Sequence, residues 1–441
     1  MIPGKSVYDE LPIWAQTVAV NVASASGWQR KYGRVFHVAM KELARNETLS
    51  RDEMLAEQQK ALRALLRYAV AHVPFYRDRK LSPDRIEDWP IITKADIVAA
   101  PEKFCSDEFE RRNLIAVRTS GTTGSPLTVW IRSEDQQMEM AFRWRHRAWA
   151  SVPLFSRGAY IGGHPVVPAD QMRPPFWRTD RIEKRLLCSS YHLAPQQLRY
   201  YIQALIRYRP AFVHGYPSSL YLIAQHMLEY SIQPLRPRAV FTASETLLDF
   251  QRIVIERAFG VKLFNWYGNT EMLCNIVECA AGNLHYRTDY GFLEFSENGA
   301  MVMTGLGKRA MPFIRYRIGD CATPKDGACS CGCAFPLIER VEGRIEDYVR
   351  TPDGRAVGRL DHLFKEARHV REAQILQERL DEITIRIVKT DGYTDADEQF
   401  VLREARQRLG GSIRVRFEYV NAIERTDAGK FRFIISQLPR A

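Results

Sequence analysis

With 441 residues and a net charge of +11, the chain is long enough for two or three domain-sized units and a large core. No apolar run reaches the roughly eighteen residues of a membrane span, and the amino terminus lacks the basic-then-apolar layout of a secretory signal, so the expectation is a cytoplasmic protein whose eight cysteines are reduced thiols or metal ligands. The positive charge is compatible with nucleic acid, an anionic surface or anionic small molecules, but the arginines are dispersed, as in LRALLRYA and REARQRLG. No nucleic-acid motif accompanies them, and no nucleic-acid partner is expected.

In chain order, residues 50–73 read as an amphipathic helix. Ser50 and Glu53 make a capping-box pair, apolar residues recur at helical spacing from Leu55 to Val73, and Pro74 ends it. LIAVR (114–118) and LTVWI (127–131) are strand-like and enclose RTSGTTGSP (118–126). That loop sets Gly121 and Gly124 among the hydroxyls of Thr119, Ser120, Thr122, Thr123 and Ser125. Glycine lets backbone amides approach closely, so such a loop can wrap a polyphosphate, although no Gly-Lys-Ser/Thr follows to make it a Walker loop. FRWRHRAW (142–149) interleaves Arg143, Arg145, His146 and Arg147 with Trp144 and Trp149. It reads either as the lining of an acid or acceptor pocket or, as preferred here, as a helix with its aromatics in the core and its arginines in water.

From about 114 to 320, short apolar strands (GAYIGG, AFVHGY, RAVFTAS, VKLFNWYG, AMVMTG) alternate with helical stretches (APQQLRYYIQALIRY, SSLYLIAQHMLEY), which predicts an α/β core. After about 345, EITIRIV (382–388) and IRVRFEYV (413–420) alternate as half-buried strands. Between them Thr394 can cap a helix that carries Val401, Leu402, Ala405 and Leu409 and stops at Gly410 and Gly411. This makes a compact α+β unit, and the expected domains are 1–344 and 345–441.

Six further segments stand in order: HGYPSSL (214–220), FTASETL (241–247), WYGNTE (266–271), RYRIGD (315–320), EGR (342–344) and RTDAGKFR (425–432). Together with the 118–126 loop, their order and spacing resemble the acyl/aryl adenylate-forming enzymes, most closely the phenylacetate-CoA ligase branch and its relatives associated with capsular polysaccharide genes. The resemblance spans almost the whole chain. It implies a large adenylate-forming amino-terminal domain of mixed β-sheets and flanking helices, with a small mobile α+β carboxy-terminal domain. It also implies ATP-dependent activation of a carboxylic acid, expected to be aromatic, as acyl-AMP, followed by transfer of the acyl group, most simply to CoA. An amine or sugar acceptor, or a non-catalytic nucleotide-binding protein of polysaccharide synthesis, are the alternatives.

Residue by residue, the resemblance gives Thr119, Ser120, Gly121, Thr122, Thr123 and Gly124 to the β- and γ-phosphates. It sets Tyr267 with Gly268 against the adenine, Thr270 near the α-phosphate, and Glu271 on Mg²⁺, a hard cation suited to a carboxylate oxygen. Ala243, Ser244 and Glu245 border the purine, although a strand-to-helix cap accounts equally well for Ser244 and Glu245. Asp320, after the turn residue Gly319, has two acceptor oxygens for the ribose hydroxyls, and Arg344 reaches ribose or phosphate. Tyr216 and Pro217 are the expected wall of the acid pocket. Glu346 and Asp347 occupy the hinge, where the family has two aspartates. Lys430, in the turn TDAGK with Arg425 and Arg432 nearby, meets negative charge as it moves from carboxylate to phosphate.

Cys279, His285, Cys329 and Cys331 form a closed three-thiolate, one-imidazole set, the composition of a structural Zn²⁺ site. Some relatives carry Cys and His at these places. Cys333 and Cys321 lie close enough in sequence to compete as ligands.

Overall fold

The computed structural model describes residues 5–118, 127–163, 166–168, 171–296, 299–344, 349–352, 356–357, 360–364, 367, 369–425 and 431–438. They divide into two compact units, residues 1–247 with 251–341, and residues 248–250 with 342–441. Among the described residues no helix is long and apolar enough to cross a membrane.

A twelve-stranded mixed sheet organises the larger unit. Its centre is a parallel run in the spatial order Arg185–Ser189, Gly158–Gly162, Phe212–Gly215, Ala239–Ala243 and Leu263–Gly268. These segments are nearly continuous in apolar residues, as parallel strands buried on both faces must be; all of AVFTA (239–243) is buried. Parallel pairing requires crossovers, and helices Leu198–Tyr208, Pro217–Glu229 and Asp249–Phe259 supply them. The helices Ile13–Tyr32, Arg34–Asn46 and Ser133–Trp149 bring Tyr32, Phe36 and Trp144 onto Phe212, Phe241 and Phe264 of the sheet. Strand Trp177–Asp180 pairs antiparallel at one edge. On the other side follow Asn275–Glu278, Leu284–Tyr286, Leu337–Arg344, Tyr316–Lys325, Ala300–Gly305 and Gly291–Phe295.

The expected amino-terminal helix spans Arg51–His72, and both capping-box bonds are made: the Glu53 amide donates to Ser50 Oγ (3.3 Å) and the Ser50 amide to Glu53 Oε2 (2.8 Å). Strands Ile115–Arg118 and Thr128–Ile131 pair antiparallel around the Ser/Thr/Gly loop.

In the smaller unit a four-stranded sheet runs in the order Arg414–Tyr419, Glu382–Lys389, Val370–Arg379, Ile434–Ser436. Helix Asp395–Leu409, capped by Thr394 with Asp397, lays Val401, Ala405 and Leu409 on Ile375, Ile383, Ile385 and Ile387. Strand 382–389 alternates half-buried and buried residues as its pattern predicts, whereas 414–419 is an edge strand and mostly exposed. The central strand 370–379 escapes the pattern reading because Gln374 and Gln377 occupy buried positions. Each donates from Nε2 to a carbonyl, Gln374 to Arg432 (2.9 Å) and Gln377 to Arg350 (2.6 Å).

Gly291 shows how tightly the sheet is joined to the turn after strand 263–268. A Cβ there would lie 2.1 Å from the Leu273 carbonyl oxygen, with a second carbonyl, that of Thr304, at 3.1 Å. Backbone cannot yield as a side-chain tip can, so Gly291→Ala should destabilise the protein by about 1–3 kcal/mol. Gly307→Ala, whose Cβ would meet nothing within 4 Å, should be near neutral. Urea unfolding of the two variants checks this; equal stability would show that the strand shifts at no cost.

Candidate active site

The carboxyl ends of parallel strands are where open α/β sheets bind ligands, and three neighbouring strands end here in the singled-out motifs. Strand 212–215 runs into Tyr216 and Pro217, strand 239–243 into Ser244 and Glu245, and strand 263–268 into Asn269, Thr270 and Glu271. Pro217 opens helix 217–229, where a missing amide costs nothing. The Glu245 carboxylate accepts from the amide (3.0 Å) and the hydroxyl (3.1 Å) of Ser218 in that first turn. A carboxylate at the positive end of a helix is favourable, so Glu245 ties two motifs together. It does so across strands, and the helix that follows Glu245 in sequence begins only at Asp249. Ser244 sits exposed at φ +72°, a left-handed conformation that costs about 1 kcal/mol or more for a residue with a side chain.

The Tyr267 hydroxyl donates to Asp320 Oδ2 at 2.6 Å, which brings together the two residues expected at adenine and ribose. Burial, then the Asp320 charge, hold that hydroxyl protonated well beyond the ordinary tyrosine range. Asp320 is aimed by a bulge and does not sit in the expected turn. Strand 316–325 is continuous, and while Ala300 pairs with Cys321 and Val302 with Arg317, Gly319 stands between at φ +95°. The extra residues opposite one position bend the strand and redirect its side chains.

Glu271, 7% exposed, lies in a turn built by Asn269, whose carbonyl accepts from the Met272 amide (3.0 Å) and whose Oδ1 accepts from the Leu273 amide (2.8 Å). Gly268 has no room for a side chain, since a Cβ would meet Trp266 Nε1 at 2.7 Å and Asn275 Oδ1 at 2.9 Å. The sequence reading passed over Ser218 and Lys308. Lys308 is 8% exposed, its Nζ 2.9 Å from Met272 Sδ, with its pKa lowered by burial. Its setting, LGKR, looks like any glycine-containing turn.

Thr119, Ser120, Gly121, Thr122, Thr123 and Gly124, the hinge residues Glu346 and Asp347, and Lys430 lie outside the described residues, as does the side chain of Arg344 at the end of strand 337–344. Both flanks of 426–430 are fastened to strand 370–379. Arg425 pairs with Glu372 on one side, and on the other the Ile375 amide donates to the Phe433 carbonyl (2.8 Å).

The four metal-ligand candidates converge: one ligand atom each of Cys279, His285, Cys329 and Cys331 lie within 4.8 Å of one another. Cys279 Sγ is 3.7 Å from Cys329 Sγ, and Cys331 Sγ is 3.4 Å from His285 Nε2. A tetrahedral ion with metal–sulfur bonds of about 2.3 Å spaces its sulfurs by about 3.8 Å, so the set fits zinc. His285 Nδ1 lies 2.9 Å from the Phe335 carbonyl; donation there leaves Nε2 as the ligand atom. Cys333 contributes its amide to Cys331 Sγ (3.4 Å), while neither its thiol nor that of Cys321 belongs to the set.

Helix 133–149 corrects one expectation. Arg143 keeps about half of its side chain exposed, but Arg145 makes a part-buried ion pair with Glu47, and Arg147 is only 4% exposed and lies over the rings of Trp144 (4.6 Å) and Phe212 (4.7 Å). His146 is buried too, its Nε2 2.9 Å from the Glu278 carbonyl, and burial pushes its pKa down to about 3. The helix is enclosed by helices 13–32 and 34–46 on one side and the sheet on another, which leaves too little solvent-facing surface for all its arginines.

A family model described as the CapK C-terminal domain matches residues 349–437. Protein CapK of Staphylococcus aureus is 25% identical over 98% of this chain and 99% of its own length. The phenylacetate-coenzyme A ligase of Thermus thermophilus is 25% identical over 68% of this chain and 72% of its own. Among solved structures, a 2-hydroxyisobutyryl-CoA ligase in its postadenylation state with 2-HIB-AMP superposes with a TM-score of 0.69 at 20% identity, covering 89% of this chain and 92% of that one, and shows the same fold. In sequence the chain is thus similar to CapK and to phenylacetate-CoA ligases and in fold to a CoA ligase, and this likeness, with the motif residues gathered at the strand ends, is consistent with the acyl/aryl adenylate-forming superfamily that its motifs resemble.

Proposed function

We propose that this protein is an AMP-forming carboxylate ligase that uses ATP and Mg²⁺ to activate an acid and then passes the acyl group to CoA. The observation that carries the reading is the meeting of Tyr267 and Asp320 beside the ends of strands 212–215, 239–243 and 263–268. The names of the relatives support it. In the first half-reaction a carboxylate oxygen attacks the α-phosphorus and pyrophosphate leaves; in the second a thiolate attacks the acyl carbon and AMP leaves. Asp320 takes the ribose hydroxyls and Tyr267 stands against adenine. Thr270 lies near the α-phosphate and the 119–124 loop holds the outer phosphates. Glu271 offers a buried oxygen suited to Mg²⁺, which when bound neutralises phosphate charge. Lys430 meets the charge that develops as the anhydride forms. Arg344 reaches ribose or phosphate, Tyr216 and Pro217 border the acid, and Glu346 and Asp347 form the hinge. We propose further that Cys279, His285, Cys329 and Cys331 hold a structural zinc ion, which would cross-link strands 275–278 and 284–286 to the 326–336 loop.

Incubation with ATP, Mg²⁺ and a panel of aromatic and aliphatic acids, followed by mass spectrometry, should reveal acyl-AMP, and acyl-CoA once CoA is added. Acyl-AMP that ignores CoA but is consumed by an amine or a sugar would replace the acceptor and leave the activation step intact. Asp320→Ala should weaken ATP binding by about 1.5–3 kcal/mol, the range for hydrogen bonds to a charged group. Glu271→Gln should raise the Mg²⁺ needed for half-maximal rate. Lys430→Ala should lose adenylate formation while it keeps more of its activity on preformed acyl-AMP; an equal loss of both half-reactions rejects its role.

Elemental analysis of protein purified without added zinc should find about one equivalent per chain. Cys279→Ser should lower both the zinc content and the melting temperature, and Cys188→Ser, in the strand 185–189, should retain the metal. Metal-free protein with freely reactive thiols would reduce the cluster to four neighbouring side chains.

A further inference from the structure

Helix 133–149 carries positive charge on its sheet-facing side that the adenylation reading leaves unused. Side chains alternate along a strand, so Tyr160, His214 and Trp266 share the sheet face beneath the helix with Phe212, Phe241 and Phe264. The first three are half-buried, whereas the phenylalanines, two of them level with Tyr160 and His214 in the sheet, are buried. Ala243 and Gly268 stand on the same face at the strands' carboxyl ends.

Met140, Arg143 and Arg147, spaced by three and four residues, line the helix side. Met140 packs in the same cluster as Tyr160 and Trp266. Arg143 keeps 49% of its side chain exposed and donates from Nε to Glu139 Oε1 (2.8 Å). No other protein acceptor for it is found among the described residues. Arg147 lies one turn further along the helix. It is 4% exposed, its Nη1 has no hydrogen-bond partner, and no carboxylate pairs with it among the described residues. Its neighbours are the rings of Trp144, Phe212 and Tyr160. Cation–π contacts of about 2 kcal/mol when desolvated offset part of the cost of burial but satisfy none of the guanidinium's hydrogen-bond donors. A buried charge calls for an anion, and Arg147 lies over Tyr160 and Phe212 of two strands in the parallel run whose carboxyl ends carry the candidate site.

We propose that Arg143 and Arg147 receive a second anionic group of the acid, a carboxylate or a phosphate, so that the substrate class is a dianionic acid with an apolar body against Tyr160 and Trp266. This rests on the adenylation reading for the fate of the first carboxylate. Acyl-AMP formation would be compared within matched sets: benzoate, terephthalate and 4-phosphobenzoate, and butyrate with glutarate. The dianionic members should be preferred, and the phosphorylated arm shows which anion fits. In Arg147→Met and in Arg143→Gln the preference, measured as the ratio of kcat/KM values, should fall by about 10- to 100-fold, the loss expected for hydrogen bonds to a charged group. Wild-type preference for the monoanions, or an equal loss for both kinds of acid in the variants, overturns the proposal. Should Arg147→Met not fold, Arg143→Gln reads the same ratio. If no acid yields acyl-AMP, it is the adenylation reading that fails. Calorimetry of terephthalate and 4-phosphobenzoate without ATP then decides: saturable binding that Arg143→Gln weakens supports the dianion site, and absence of binding rejects it.

Discussion

Parallel pairing of the strands 158–162, 212–215, 239–243 and 263–268 is the constraint on which the candidate site depends. Parallel strands all finish at the same end of the sheet, and each crossover must begin there. Segments spread over more than fifty residues of sequence, from Tyr216 to Glu271, thus emerge side by side. The Glu245 to Ser218 bonds close that row from within, because the carboxylate of one strand end neutralises the start of the helix that follows another.

The antiparallel part of the sheet supplies what the parallel part lacks. Asp320 comes from a strand four places away from 263–268 in the sheet order, and the bulge at Gly319 together with the Tyr267 hydroxyl hold it at the site. Gly291 is needed because another stretch of backbone passes too closely for a side chain, and Gly268 because the Trp266 and Asn275 side chains fill the space a Cβ would take. The site is therefore held by close packing on one side and by the short Tyr267–Asp320 hydrogen bond on the other.

Charge is balanced unevenly around helix 133–149. Arg145 and Arg287 share Glu47, and Arg143 has Glu139, which also accepts from the Tyr290 hydroxyl (2.7 Å). Arg147 and Lys308 have no such carboxylate within ion-pair distance among the described residues, although both are buried. A fold that compensates its neighbouring charges this closely and leaves Arg147 buried without a carboxylate is better fitted to an anionic ligand there than to a purely apolar one.

Local signals settled much of this protein. The capping box at Ser50, the helix cap at Thr394, the apolar strands of the α/β core and the two strands flanking residues 119–126 were all legible, because caps and periodicity act over a few residues. The Cys/His set was legible as chemistry but not as a choice of ligands, and only the tertiary approach of the 326–336 loop to His285 separates Cys329 and Cys331 from Cys333 and Cys321. Strand 370–379 was hidden by glutamines whose burial is tolerable only because distant carbonyls accept from them. Arg147 misled for the same reason. A helical pattern says which residues share a face, but whether that face meets water or a sheet is decided by elements far away in the chain.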